Sequence, residues 1–123
     1  MSIGLSIPRE AVPLEPSEFL RQVVRRNRQG MAVGTYAVCS AHPAVLHAAI
    51  HQALQDDAVL HVESTSNQVN QFGGYMGSTP AQFAAKVRWT AEKAGLPATR
   101  VLLGADHLGP YCWRSEPAAT AMA

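Results

Sequence analysis

The chain has 123 residues, of which 47% are hydrophobic and 15% are charged, and its formal net charge is +1. This length and composition predict one folded domain and exclude a disordered chain. The near-neutral charge gives no reason to expect a nucleic acid or an anionic membrane surface as a partner. No apolar stretch approaches the ~20 residues that span a bilayer, so no membrane partner is expected.

The amino terminus and the two cysteines bear on the location of the protein. Residues 1–16 include Pro8 and Pro13 and lack the apolar core of a secretory signal peptide. We therefore predict a flexible amino-terminal arm over residues 1–16 and a folded part over residues 17–123. Cys39 and Cys112 are too few for a disulfide framework, and a cytoplasmic protein with reduced thiols is expected.

Helix signals alternate with short apolar segments along the rest of the chain. The first helix is predicted to begin at Pro16 and to stop at Gly30. Later helices are predicted to start at Pro43 and at Pro80, the second within a capping-box pattern. Three apolar segments are predicted as strands: residues 32–39, 58–63 and 100–105. This order predicts an α/β fold with a parallel sheet and right-handed crossovers.

The third predicted strand ends in Asp106 and His107. A carboxylate can move a proton, and an imidazole can bind a divalent metal. Parallel strands place their carboxyl ends at one edge of the sheet, where α/β enzymes bind ligands. We therefore expect Asp106 and His107 to cluster there with Ser40 and Glu63. Capping of the strand end and of a turn is the alternative role for the pair.

The loop that follows the second strand is rich in neutral hydrogen-bonding side chains and contains no positive charge. Amides and hydroxyls suit hydroxyl-rich or phosphorylated substrates, and a glycine pair lets the backbone approach a ligand or turn sharply. A polar surface loop that caps the next helix is an equal alternative. The candidate substrate-binding residues are Ser40, Glu63, Ser66, Asn67, Gln68, Asn70, Gly73 and Gly74.

Three motifs in the strand-end loops resemble one known family. They are VCSAHP at residues 38–43, TSNQVNQFGGY at residues 65–75 and DHLGP at residues 106–110. In this order and spacing they resemble the non-catalytic subunit of class II D-tagatose-1,6-bisphosphate aldolase, over residues 32–113. The resemblance implies a TIM (β/α)8 barrel, of which this chain would hold only the first three strands and their helices.

The resemblance also implies a function. Such a subunit supports the activity and stability of a separate catalytic aldolase subunit in galactitol, N-acetylgalactosamine or tagatose catabolism, and the implied ligand is a phosphorylated ketohexose or a ketohexose. By likeness to the metal-dependent class II aldolases, Asp106 matches the catalytic proton carrier and His107 a metal ligand. The other ligands lie on later strands, so Zn²⁺ is expected in a full-length parent and not on this chain alone.

Two alternatives remain open. In the first, the full-length parent is itself a metal-dependent class II ketose-bisphosphate aldolase or a ketohexose epimerase, with Asp106 as the acid–base group and His107 on Zn²⁺. Residues 67–74 would then hold substrate oxygens. In the second, the chain is a degenerate fragment without activity. Later strands that carry a Glu and further His at their carboxyl ends would favour the enzyme.

Overall fold

The fold alternates helices with a short parallel sheet. The computed structural model describes residues 15–40 and 42–122, so the predicted arm lies outside the described residues as far as residue 14. The helices are α1 (Pro16–Arg28), α2 (Pro43–Gln55), α3 (Pro80–Lys93) and α4 (Ala118–Ala121), and the strands are β1 (Leu60–Thr65) and β2 (Val101–Asp106). Short 3-10 helices span Ala98–Arg100 and Pro110–Trp113. None of the described helices is long and apolar enough to cross a membrane.

The two strands pair in parallel, with Leu60 opposite Val101 and Thr65 opposite Asp106. This pairing confirms the predicted α/β class, the parallel sheet and two of the three predicted strands. Within the described part of the chain, β2 pairs with β1 alone.

The predicted strand over residues 32–39 is wrong in extent. Only Val38 joins the sheet, through an isolated parallel bridge to Val62. The N–H of Val38 donates to the carbonyl of His61 at 2.9 Å, and the N–H of Glu63 donates to the carbonyl of Val38 at 3.1 Å. The side chain of Tyr36 is 51% exposed. The segment is therefore not buried on both faces, although its apolar composition predicted that it would be.

Local side-chain caps set the starts of the helices that flank β1. Before α3, the hydroxyl of Thr79 accepts from the N–H of Gln82 at 3.4 Å, and the amide oxygen of Gln82 accepts from the N–H of Thr79 at 2.9 Å. This arrangement confirms the predicted capping box. Before α2, Nδ1 of His42 accepts from the N–H of Ala44 at 3.2 Å.

The hydrophobic core lies between one face of the sheet and the helices α2 and α3. Burial alternates along β1, so every second side chain points to this face. Residues from strands, helices and the segment before β2 meet in the core, and the largest of its fully buried side chains are those of Ile50, Leu60, Val62, Val87 and Leu96. The other face of the sheet, here called the second face, receives the alternate side chains.

On the second face, the imidazole of His61 lies over β2 at a glycine. A Cβ at Gly104 would stand 2.8 Å from Nε2 of His61 and 3.5 Å from Cβ of Glu63. Nδ1 of His61 is buried without a hydrogen-bond partner among the described residues. The absence of a side chain at Gly104 therefore makes room for the imidazole.

The side chain of Arg100 links the end of α2 to the start of β2 through hydrogen bonds. Its guanidinium donates to the carbonyl of Ala58 at 2.6 and 3.1 Å and to the carbonyl of Ala53 at 3.0 Å. Nη1 also lies 3.0 Å from Oδ1 of Asp57, and the Arg100 side chain is only 16% exposed. One side chain thus binds a carbonyl near the end of α2 and a carbonyl of the segment that leads into β1.

We expect Arg100→Gln to lower the free energy of unfolding by about 2 kcal/mol, because charged hydrogen bonds to two partly buried carbonyls are lost. Urea unfolding followed by circular dichroism measures the change. Arg88→Gln, at an exposed position of α3, is the matched control and should leave the midpoint unchanged. Equal midpoints for the two variants would show that Arg100 does not fasten the turn.

Candidate functional site

The carboxyl end of the sheet brings two carboxylates and a thiol together. Glu63 and Asp106 lie on the second face, Asp106 opposite Thr65. Burial raises the pKa of the Cys39 thiol, and the negative charges of Glu63 and Asp106 raise it further. The hydroxyl of Ser40 accepts from the N–H of His42 at 3.2 Å, at the start of α2. Ser40 is therefore engaged in the local turn before the helix.

Asp106 and His107 fold against each other at the end of β2. The N–H of His107 donates to Oδ1 of Asp106 at 2.8 Å, and Nε2 of His107 lies 3.5 Å from Oδ2 of the same carboxylate. His107 has a φ of 49°, a left-handed conformation that costs a non-glycine residue energy. The imidazole is 75% exposed, so one imidazole and one carboxylate point outward together.

The described residues offer too few donors for a catalytic zinc site. No three His, Cys, Asp or Glu side chains among them lie close enough to hold one metal ion. Catalytic zinc takes three protein ligands. His107 and Asp106 are thus of the right chemical kind, but their number falls short of a complete site.

Two amide side chains stabilise the loop after β1 through hydrogen bonds to its backbone. Oε1 of the buried Gln68 accepts from the N–H of Thr65 at 2.8 Å and from the Cys39 thiol at 3.7 Å. Asn70 donates to the carbonyl of Ser66 at 2.9 Å, and its Oδ1 accepts from the N–H groups of Phe72 and Gly74. These contacts give Gln68 and Asn70 a clear role in shaping the loop.

The glycine pair turns the loop sharply. Gly73 and Gly74 have φ values of 107° and 58°, in the region that favours glycine. A Cβ at Gly74 would lie 2.3 Å from the carbonyl oxygen of Gln68. The close approach at Gly74 is therefore to the loop's own backbone.

Hydrogen bonds and a ring contact join the loops after β1 and β2. The Ser66 hydroxyl donates to the carbonyl of His107 at 3.2 Å, and the Cys112 thiol donates to Oδ1 of Asn67 at 3.0 Å. The rings of Phe72 and Trp113 meet edge to face, with centroids 5.9 Å apart. These contacts fix one loop relative to the other.

An open cleft of about 840 Å³ lies beside the joined loops, bordered among others by Asn67, His107, Trp113 and Arg114. The Arg114 guanidinium stacks on the ring of Tyr111 at 4.9 Å and donates to its hydroxyl at 2.6 Å. The sequence motifs did not single out Cys112 or Arg114. Neither sits in a recognisable pattern, and only the contact between the two loops reveals them.

The described residues define an α/β protein with polar side chains at the carboxyl end of a parallel sheet. Residues 20–123 match the family described as D-tagatose-1,6-bisphosphate aldolase subunit GatZ/KbaZ-like. The chain belongs to this family. The resemblance seen in the three loop motifs is thereby confirmed.

Individual relatives agree with the family match. The chain is 48% identical over 103 residues to the D-tagatose-1,6-bisphosphate aldolase subunit GatZ of Klebsiella pneumoniae, covering 84% of this chain and 24% of the relative. The GatZ subunit of Salmonella typhimurium gives the same identity and coverage. A crystal structure from Sinorhizobium meliloti 1021, described as a probable tagatose 6 phosphate kinase, matches with a TM-score of 0.66 and 46% identity, over 69% of this chain and 22% of that one. The chain spans about a quarter of the length of these relatives.

The crowded carbonyl beside Gly74 gives a testable expectation. Gly74→Ala should lower the free energy of unfolding by roughly 3 kcal/mol, because the new methyl group collides with the Gln68 carbonyl in addition to the backbone strain. Gly77→Ala is the matched control, because Gly77 has a similar φ of 65° but no atom within 4 Å of a new Cβ. It should cost only about 1 kcal/mol. Equal losses in thermal unfolding would contradict the close approach.

The raised pKa of Cys39 predicts slow alkylation near neutral pH, because only the thiolate reacts. In a Cys112→Ser background, Glu63→Gln removes one negative charge, lowers the Cys39 pKa and should speed iodoacetamide labelling about threefold at pH 8. The difference should fade at high pH, where both forms are thiolates. Glu92→Gln, on an exposed part of α3, is the control. Identical rates for the two variants would contradict the influence of Glu63.

Proposed function

We propose that this chain is the amino-terminal part of an accessory subunit of tagatose-bisphosphate aldolase. In this role it supports the activity and stability of a separate catalytic subunit in the cytoplasm, in a pathway that handles phosphorylated ketohexoses. The family match over residues 20–123 carries the proposal, because it includes all three strand-end loops. The names of the relatives refer to a subunit, which implies a partner chain for those proteins.

We also propose that the chain holds the first three strand positions of a (β/α)8 barrel. The sheet contains the Val38 bridge, β1 and β2 side by side in the same order as in the chain, and their pairing is parallel. The helices α2 and α3 contact each other and share one core against a single face of the sheet. In a barrel the helices that connect neighbouring strands lie on one face of the sheet, as α2 and α3 do here, whereas a doubly wound sheet carries helices on both faces. The second face, with Glu63 and Asp106, would then line the barrel interior.

In this proposal the polar end of the sheet is one part of a larger site. Asp106 would hold or move a proton at its carboxylate, and His107 would be one ligand of a Zn²⁺ ion whose other ligands lie outside this chain. Asn67, whose amide oxygen is held by Cys112, would present its amide nitrogen to a sugar oxygen. Gln68, Asn70 and the glycine pair would hold the loop in shape.

The test is a reconstitution with the catalytic subunit. We expect the purified chain to lengthen at least about twofold the time for which the catalytic subunit keeps half of its activity in cleaving tagatose 1,6-bisphosphate. The reason is that a partner that binds only the folded state of a protein stabilises that state. The chain alone should show no cleavage. The Gly74→Ala variant, which deforms the loop, controls for nonspecific protection by added protein.

Two outcomes would contradict the accessory role. An unchanged half-life of the catalytic subunit's activity at a saturating concentration of the chain would contradict the supporting function. Cleavage by the chain alone, abolished by Asp106→Asn, would favour the alternative in which the family member is itself the aldolase.

A further inference from the structure

We propose that the cleft between α2 and α3, here called the interhelical cleft, binds a small monocarboxylate that carries one aromatic ring or one branched aliphatic chain. The cleft lies on the face of the sheet that the helices cover, whereas Glu63 and Asp106 lie on the second face. It therefore opens on the opposite side of the sheet from these two carboxylates. The inference concerns this chain alone and does not rest on the proposed function.

The described elements enclose the interhelical cleft on both sides and from below. Its volume is about 200 Å³, and α2, α3 and β1 all contribute residues to its lining. The strand β1 has a neighbour on each side, the bridge at Val38 and the strand β2, and α2 contacts α3. A strand added to the free edge of β2 would join the sheet on the far side of β2 and would not enter this cleft.

The floor of the interhelical cleft is apolar. Its buried apolar residues are Leu46, Val62, Phe83 and Val87. Thr90 is buried beside them, and its hydroxyl donates to the carbonyl of Lys86 at 2.8 Å. An apolar group that enters would thus leave the Thr90 hydroxyl with its hydrogen bond. Since an apolar cavity of about 150 Å³ holds a benzene ring, this cleft has room for one ring or one branched chain.

The rim of the interhelical cleft is cationic. His47, Lys86 and Trp89 line the cleft and are exposed. Lys93 places its ammonium 5.8 Å from the centroid of the Trp89 ring, so a second ammonium stands beside the rim. Among the described residues no Asp or Glu lines the cleft, and α2 and α3 together contain three Lys or Arg residues but only one acid. The rim therefore favours an anion.

The floor and the rim together select the class of ligand. An apolar group would occupy the floor, and a carboxylate one or two carbons away would meet the Lys86 ammonium, which moves on a flexible stem. A sugar phosphate fits poorly, because its hydroxyl groups would lose their hydrogen bonds to water over the apolar floor. The interhelical cleft thus suits a different ligand from the ketohexoses expected at the carboxyl end of the sheet.

The experiment uses the fluorescence of Trp89 as a reporter within the cleft. The chain has two tryptophans, so a Trp113→Phe background leaves Trp89 as the single one. We expect titration of this full-length chain with phenylacetate to give a saturable change with a dissociation constant of about a millimolar. Benzyl alcohol, which keeps the ring and lacks the charge, should bind about fourfold more weakly. Acetate, which lacks the ring, should bind at least about tenfold more weakly.

A pair of variants on α3 tests the role of the rim. Lys86→Gln should weaken phenylacetate binding about fourfold and leave benzyl alcohol binding unchanged. Arg88→Gln is the matched control, because Arg88 is an exposed cation of the same helix and does not line the cleft. It should change the phenylacetate affinity less than about 1.5-fold, because solvent screens its more distant charge.

Three results would overturn the inference. A fluorescence change that stays linear up to about 20 mM phenylacetate, about twenty times the expected dissociation constant, would show that the cleft does not bind the ligand. Equal affinities for phenylacetate and benzyl alcohol would show that the carboxylate is not recognised. Equal phenylacetate affinities in the Lys86→Gln and Arg88→Gln variants would show that the rim cation has no part in binding.

Discussion

The parallel pairing of β1 with β2 is the constraint on which the rest of the structure depends. Its register decides which side chains enter the core and which reach the second face. Leu60 and Val62 turn toward the helices, whereas Glu63 turns away from them. A slip of one residue would exchange these sets and bury a carboxylate. Arg100, which directly precedes β2, binds the carbonyl of Ala58 and so links the segment before β1 to the start of β2.

The polar loop after β1 satisfies most of its hydrogen bonds internally. Gln68 and Asn70 bind backbone groups of the same loop, and a thiol 45 residues away holds the amide oxygen of Asn67. A loop built this way keeps its shape without a ligand, which lowers the entropic cost of presenting a surface to a substrate or to another subunit. The same rigidity would position His107, since Ser66 holds the carbonyl of that residue.

Local signals predicted the parts of the fold that neighbouring residues determine. The first-turn prolines, the capping box before α3 and the two apolar strands all lie within short windows of sequence. The extent of the strand at residue 38 depends on whether other parts of the protein pack against it, and the composition of the segment does not specify this. The same distinction holds for the site. Asp106 and His107 can be recognised in the sequence, whereas the hydrogen bond between Cys112 and Asn67 exists only after the two loops meet.

The fit of His61 over Gly104 links two positions that are far apart in sequence. With 2.8 Å between the imidazole and the place of a new Cβ, the two residues share one volume on the second face. A larger residue at position 104 therefore requires the His61 imidazole to move away or position 61 to carry a smaller side chain. We therefore expect relatives that carry a larger residue at position 104 to carry a smaller one at position 61 more often than other relatives do. Aligned relatives would carry that history as a pair of columns that vary together.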